Sequence, residues 1–271
     1  MHATLTELLA EDAPISEVSI RDRWHEQLHT DRSLHGEGWY VPPPHGMAVL
    51  IGSDTAPQRL SYVSLRAPGV WPRDDVFLNR DHGLLYAYAS PVDRATGMIG
   101  DLALTLYFGT DEALHRHLAW ALVLDQRLFA HAIIGMRLGD LATTAFDWIT
   151  EAGLCNDIGT VNGSIGNNIG HTIPAADRGW SAGDMACISG PSWPIACAAI
   201  GDRRRYLRPG EDSIITPGMG ITIEPRPFGS GLPMVSYHTI GLFHEDGRKQ
   251  WLTDYDELFA LAGMNMAVTT E

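Results

Sequence analysis

The segment Gly218-Met219-Gly220-Ile221-Thr222-Ile223-Glu224-Pro225-Arg226 constrains this chain more than any other. It is apolar enough to be a half-buried strand, it carries one carboxylate, and it stops at a proline, which cannot donate to a sheet ladder. Strand alternation places Thr222 and Glu224 on one face and Ile221 and Ile223 on the other. A glutamate ending such a strand needs a metal, a cation or a titrating group beside it, because an unpaired buried charge is costly.

The 271 residues suffice for one large core or for a core with an N-terminal appendage. A chain with 28 Gly and 16 Pro fits a loop-rich enzyme better than a helical array. The formal net charge of -14 argues against nucleic acids and anionic membranes as partners, since both select basic surfaces. Three cysteines, Cys155, Cys187 and Cys197, cannot all pair internally and form no CxxC, so they are expected to be reduced thiols in a cytoplasmic protein. No run resembles a membrane span or a signal peptide.

Along the chain, the first 35 residues read as helical, with Ser16 as a cap and Val18, Ile20, Trp24 and Leu28 as apolar positions. The three prolines of Trp39-Tyr40-Val41-Pro42-Pro43-Pro44-His45-Gly46 exclude regular structure and predict an extended arm. Strands are expected at Met47–Ile51, Leu60–Leu65, Leu84–Ala89 and Gly100–Gly109. Thr110 is the expected cap of a helix whose apolar stripe is Leu114, Leu118, Leu122 and Phe129, and a second helix runs from Asp140 to Ala152. A Gly/Asn-rich loop at 159–170, irregular segments around Pro191 and Pro194, and a charged excursion at 201–212 follow. Arg203-Arg204-Arg205 reads there as a solvated face. Strands at 220–226 and 234–243, with a turn at Glu245-Asp246-Gly247, close the unit.

Several of these segments resemble the signatures of the M24 peptidase family, the methionine and Xaa-Pro aminopeptidases with creatinase as a relative. The Pro-Gly-Met and Thr-Ile-Glu-Pro elements around Glu224 carry the likeness, as does Gly100-Asp101…Thr105. So does Ser164-Ile165-Gly166-Asn167-Asn168-Ile169-Gly170-His171-Thr172-Ile173-Pro174, and the match spans roughly residues 75–260. The resemblance implies an α+β pita-bread fold, a curved antiparallel sheet with helices on its outer face. The expected division is an N-terminal helix and extended arm over 1–70 and the pita-bread unit over 71–271.

The family holds two metal ions with two aspartates, a histidine and two glutamates. Carried onto this chain, those five positions read Ser90, Asp101, Ser164, Glu224 and His238, while the substrate-contacting histidine is retained as His171. A dinuclear centre needs bridging carboxylates, and a serine or a neutral imidazole does not replace them. Two expectations follow for the site. Asp101, Glu224 and His238 hold at most one divalent ion, Zn, Mn or Fe, or the site is metal-free, with His171 and His238 as acid and base beside tuned carboxylates. Arg226, Ser90, Ser164 and Tyr237 are the expected substrate-binding residues, the arginine because guanidinium matches carboxylate. The implied activity is hydrolysis or elimination at a C–N bond of a small amide- or carboxylate-bearing molecule, in a homodimer. The other reading is an inactive pita-bread binding module.

Overall fold

The structure is a computed structural model and describes residues 1–39, 44–55, 59–61, 72–157, 167–174 and 179–266. Ser164, most of the expected 60–65 strand, the centre of the proline arm and much of the 159–170 loop lie outside the described residues.

Two helices open the chain, α1 (His2–Ala10) and α2 (Glu17–Thr30). Ser16 caps α2 as expected: its hydroxyl accepts from the Ser19 amide at 3.1 Å, and the Ser19 hydroxyl accepts from the Ser16 amide at 2.9 Å. Ile20, Trp24 and Leu28 face the core, but Glu17 is buried where Val18 was expected. Its carboxylate accepts from Ile51 N at 2.6 Å, Arg73 N at 2.9 Å and Arg59 at 2.7 Å, so a first-turn acid becomes the pin between α2 and the first sheet.

That sheet is antiparallel in the order β1 (Met47–Ser53), β2 (Gly83–Ala89), β3 (Leu102–Tyr107), in register from Met47 opposite Ala89 and from Leu84 opposite Tyr107. Every residue of β2 is buried, because it is the central strand between β1 and β3 and its side chains join the core shared with the N-terminal helices. Leu5, Leu9, Trp24, Leu50, Leu85, Leu104, Tyr237 and Phe259 share one core, so the N-terminal helices are built into the same hydrophobic unit as β2 and β3.

α3 (Glu112–His131) and α4 (Leu138–Glu151) follow. The cap of α3 is Asp111 rather than Thr110, accepting from Ala113 N at 2.7 Å and Leu114 N at 3.2 Å; a carboxylate at this position also meets the positive end of the helix dipole. The two helices bury Leu124, Leu128, Leu141, Ala145 and Ile149 against Ile221, Ile223 and Phe243. β4 (Cys155–Asn156) later pairs with β7 (Pro227–Phe228). The second main sheet is antiparallel in the order β5 (Thr172–Ile173), β6 (Gly220–Ile223), β8 (Thr239–Phe243), β9 (Lys249–Trp251), and α7 (Asp256–Leu261) ends the described chain.

The stretch expected to be irregular contains α5 (Ala182–Ile188) and α6 (Trp193–Arg203). Ser181 and Asp184 form a reciprocal capping box on α5, and Pro194 sits in the first turn of α6, where a missing N–H costs no hydrogen bond. Proline there starts a helix rather than breaking one.

The two main sheets meet along β3. His238 N donates to Ala103 O at 2.8 Å, and Ser236 N donates to the Thr105 hydroxyl at 3.1 Å. The Tyr255 hydroxyl lies 2.9 Å from Ala103 O and 2.7 Å from His238 O, a polar staple across the seam. The result is the α+β, curved antiparallel arrangement the resemblance implied.

Candidate functional site

Four strand ends converge at that seam. Asp101 precedes β3, His171 precedes β5, Glu224 follows β6 and His238 precedes β8. Strands run into the seam as regular ladders, and the residues just beyond their ends turn their side chains onto one another.

Local backbone chemistry sets the pose. Gly170 has φ 141°, and a Cβ on it would stand 2.2 Å from Thr222 O, so only glycine lets this segment lie against β6. The Thr222 hydroxyl accepts from His171 N at 2.9 Å and reaches Glu224 Oε1 at 3.2 Å, which is the shared Thr222/Glu224 face that strand alternation predicts. Glu224 N donates to Ile169 O at 2.8 Å, carrying the pairing one residue past β6.

His238 lies between two carboxylates, with Nδ1 3.0 Å from Asp101 Oδ1 and Nε2 2.9 Å from Glu224 Oε2. His171 Nε2 is 3.0 Å from Asp101 Oδ2 and 3.7 Å from Glu224 Oε1, while its Nδ1 faces Thr172 O at 3.0 Å. A carbonyl only accepts, so Nδ1 of His171 carries a proton. All four residues are buried.

Burial alone would raise both carboxyl pKa values. The charge of His238, with hydrogen bonds from the imidazoles, outweighs it, holding Asp101 well below the ordinary range and Glu224 at about 2. Burial alone would likewise lower His238, but the two carboxylates push it up to about 10. His238 is thus a fixed imidazolium at neutral pH.

Sequence reasoning missed two members of the surroundings. Arg204, expected in a solvated face, turns inward and is sandwiched between Trp39 and Tyr206, its guanidinium carbon 4.4 Å from each ring centre. Its guanidinium has no hydrogen-bond or ion-pair partner among the described residues, and its Nε is buried. Burial lowers its pKa to about 10, against the pull of Tyr88, Glu224 and Asp101, so it keeps its charge at neutral pH. The Trp39…Tyr206 frame is assembled from distant segments, which leaves no signal in the arginine run itself.

The second is Asp125, buried on α3 and hydrogen-bonded by the Thr239 hydroxyl at 3.4 Å. Burial raises its pKa far above the carboxylate range. An acid inside the Leu118–Leu122–Phe129 stripe was the readable signal.

Of the expected substrate-binding residues, Arg226 is buried with its donors given to backbone: Nη1 to Glu224 O at 2.7 Å, Nε to Asp157 O at 3.2 Å and Nη2 to Asn168 O. It clamps the end of β6 to the loop around Asn168, and the unpartnered guanidinium beside the cluster is that of Arg204. Tyr237 faces the core, its ring 6.1 Å from Tyr255 and 5.6 Å from Phe259. Ser90 is buried after β2, its carbonyl accepting from Trp39 N at 2.9 Å. An open cavity of about 410 Å³ borders Asp101 and His238 and is also lined by His2, Thr253, Asp254 and Glu257.

Structures sharing this architecture include a dipeptidase from Pyrococcus horikoshii OT3, with TM-score 0.60, 17% identity, and 93% of this chain covered against 56% of that one. Prolidase from Pyrococcus furiosus follows with TM-score 0.59, 16% identity, and 93% and 59% covered. Methionine aminopeptidase from Thermotoga maritima gives TM-score 0.59, 12% identity, and 93% and 90% covered. The fold is therefore the pita-bread fold of the M24 enzymes, and the likeness reaches well beyond residues 75–260. The chain spans less than three-fifths the length of the dipeptidase and the prolidase. No protein-family model matches the chain, and no curated protein matches it in sequence.

Proposed function

We propose that this protein is a hydrolase that cleaves a C–N bond in a small amide bearing a carboxylate, with His171 as the proton carrier. The observation that carries this reading is the closed Asp101–His171–Glu224–His238 cluster beside an unpartnered Arg204. Four ionisable groups from four segments, buried together, are costly unless function maintains them.

The geometry supports the following roles. His238, saturated by two carboxylates, holds its proton and serves as a fixed positive charge that keeps Asp101 and Glu224 ionised and oriented. Asp101 and Glu224, strongly acidic here, are poor bases and act as counter-charges and orienters. His171, whose ring nitrogens both face acceptors, gives its Nε2 proton to the departing nitrogen and regains one from the attacking water, while its Nδ1 stays tied to Thr172 O. Arg204 takes the substrate carboxylate in a bidentate pair, framed by Trp39 and Tyr206.

One ligand atom each from Asp101, Glu224 and His238 lies within 4.8 Å of the others, and a single divalent ion held there would displace a proton from His238, since metals bind the neutral imidazole. Such an ion would polarise the scissile carbonyl and lower the pKa of a bound water. With one imidazole and two carboxylates as donors, we read the site as mononuclear at most rather than as a dinuclear peptidase centre.

The test is a panel of dipeptides, N-acyl amino acids and neutral amides, followed by mass spectrometry with metal-stripped protein and with added Zn, Mn or Fe(II). Turnover of carboxylate-bearing amides, lost in His171→Ala, is expected. No turnover under any condition, with His171→Ala unchanged in stability and ligand binding, favours the binding-module reading.

A further inference from the structure

A second group of metal-ligating side chains lies in the N-terminal segment and shares no residue with the buried cluster. α2 carries His25 and His29 one turn apart, on one helix face. The chain then passes Gly36, Glu37 and Gly38 and returns at His45 to the same place. His25 and His45 stack with ring centres 3.6 Å apart, and the His25 and His29 rings are 4.2 Å apart. His45 Nδ1 stands 3.3 Å from both Oε1 and Oε2 of Glu37. One ligand atom each from His25, Glu37 and His45 falls within 4.8 Å of the other two.

Three features are hard to explain as packing. First, His45 has φ 61°, the one non-glycine residue with positive φ among the described residues, and such a conformation costs about 1–3 kcal/mol unless its surroundings enforce it. The enforcement is visible: Gly38 N donates to His45 O at 2.9 Å, and a Cβ on Gly46 would stand 2.8 Å from the Gly38 backbone. Two glycines thus press backbone on backbone to deliver the His45 ring to Glu37. Second, Nε2 of His25 is buried with no hydrogen-bond partner, a cost that an ion would remove. Third, a Cβ on Gly36 would meet the His29 ring at 3.0 Å, so a third glycine admits the third imidazole. Burial, then the nearness of His45 and His29, lowers the pKa of His25, which favours the neutral imidazole that metals bind.

We propose that His25, Glu37 and His45, with His29 as a further donor, form a transition-metal site that ties Glu37 and His45 to α2. Imidazoles with one carboxylate suit Zn(II), Ni(II), Co(II) or Cu(II), whereas Ca(II) and Mg(II) take oxygen ligands. The side chains of Glu37 and His45 are about one-third exposed, so an ion can enter and leave without unfolding.

The test is calorimetric titration of the metal-stripped full chain with Zn(II), with Co(II) absorption as a second readout, in the parent and in His25→Ala and His45→Gly. His45→Gly is the decisive variant, because glycine accepts the positive φ and the metal-free variant is expected to melt at or above the parent temperature. We expect the parent to bind one equivalent of Zn(II) that each variant loses or binds more than ~10-fold more weakly, the least expected from removing a direct ligand when supporting partners alone are worth ~10-fold. Zn(II) should raise the parent's melting temperature through this equivalent and leave that of His45→Gly unmoved by it. A parent that binds no Zn(II), or a folded His45→Gly with the parent's stoichiometry and affinity, overturns the proposal.

Discussion

Glu224→Gln is the sharpest perturbation of the buried cluster, because it keeps shape and removes one charge. In the parent, Glu224 Oε2 accepts from His238 at 2.9 Å, Oε1 takes the Thr222 hydroxyl at 3.2 Å, and Arg226 stands 3.8 Å away. A carboxyl group lowered from 4.5 to about 2 is favoured in its charged form by about 3 kcal/mol, at about 1.4 kcal/mol per pH unit. Breaking one partner of a buried ion pair independently suggests about 3–5 kcal/mol. The sign is fixed by linkage: a depressed carboxylate stabilises the fold above its unfolded pKa and loses that contribution as pH falls through its folded value. Urea unfolding of metal-stripped parent and variant should therefore differ by about 3 kcal/mol at pH 6–7, shrinking to about half of that at pH 3. His238 runs the opposite way, stabilising below its unfolded value and losing the contribution as pH rises through about 10. In Glu224→Gln its histidine NMR titration should move down toward neutrality. Equal stability at pH 7, a gap unchanged at pH 3, or an imidazolium at position 238 that still survives at pH 9 would each refute the charge-network account.

Other substitutions probe the remaining parts. Arg204→Met should keep the melting temperature within a few degrees, since the guanidinium has no partner among the described residues, and should raise KM for carboxylate-bearing amides while sparing neutral ones; equal KM shifts for both classes would remove Arg204 from recognition. His171→Ala should lower kcat by roughly 10²–10⁴, a full general acid–base contribution, with far-UV circular dichroism unchanged; parental kcat would exclude it as proton carrier. Gly170→Ala should unfold the protein at ordinary temperature or cut its soluble yield, because the new Cβ meets the Thr222 carbonyl at 2.2 Å; a parental melting curve would show that this close approach is not required. Glu17→Gln should destabilise by about 1–3 kcal/mol at neutral pH through lost hydrogen bonds to Ile51, Arg73 and Arg59, less the relief of burying a neutral group whose parent pKa burial pushes up to about 7. That relief grows as pH rises from 4.5 through 7, so the gap between parent and variant should narrow over that range in urea titrations; a widening gap contradicts it.

What the amino-acid sequence determined by itself is local and periodic. Alternation placed Thr222 with Glu224 and sent Ile221 and Ile223 into the core, and the structure has both because the pleat of a strand is set residue by residue. Ser16 announced the start of α2 for the same reason: a cap is satisfied within four residues. The resemblance to the M24 signatures also pointed to Asp101, His171, Glu224 and His238, which the structure brings together at one seam. Tertiary structure alone decided how those groups are used. Nothing local says that both nitrogens of His238 meet carboxylates arriving from other strands, which is what makes it a cation rather than a base. Nothing local says that Arg226 spends its donors on backbone while Arg204, in a run that reads as solvated, slots between Trp39 and Tyr206. The direction of a long charged side chain depends on which surface covers its stem and which acceptors lie within reach. Trp39 lies 165 residues from Arg204, and Asn168 and Asp157 lie 58 and 69 residues from Arg226, so only the folded chain assembles these surroundings.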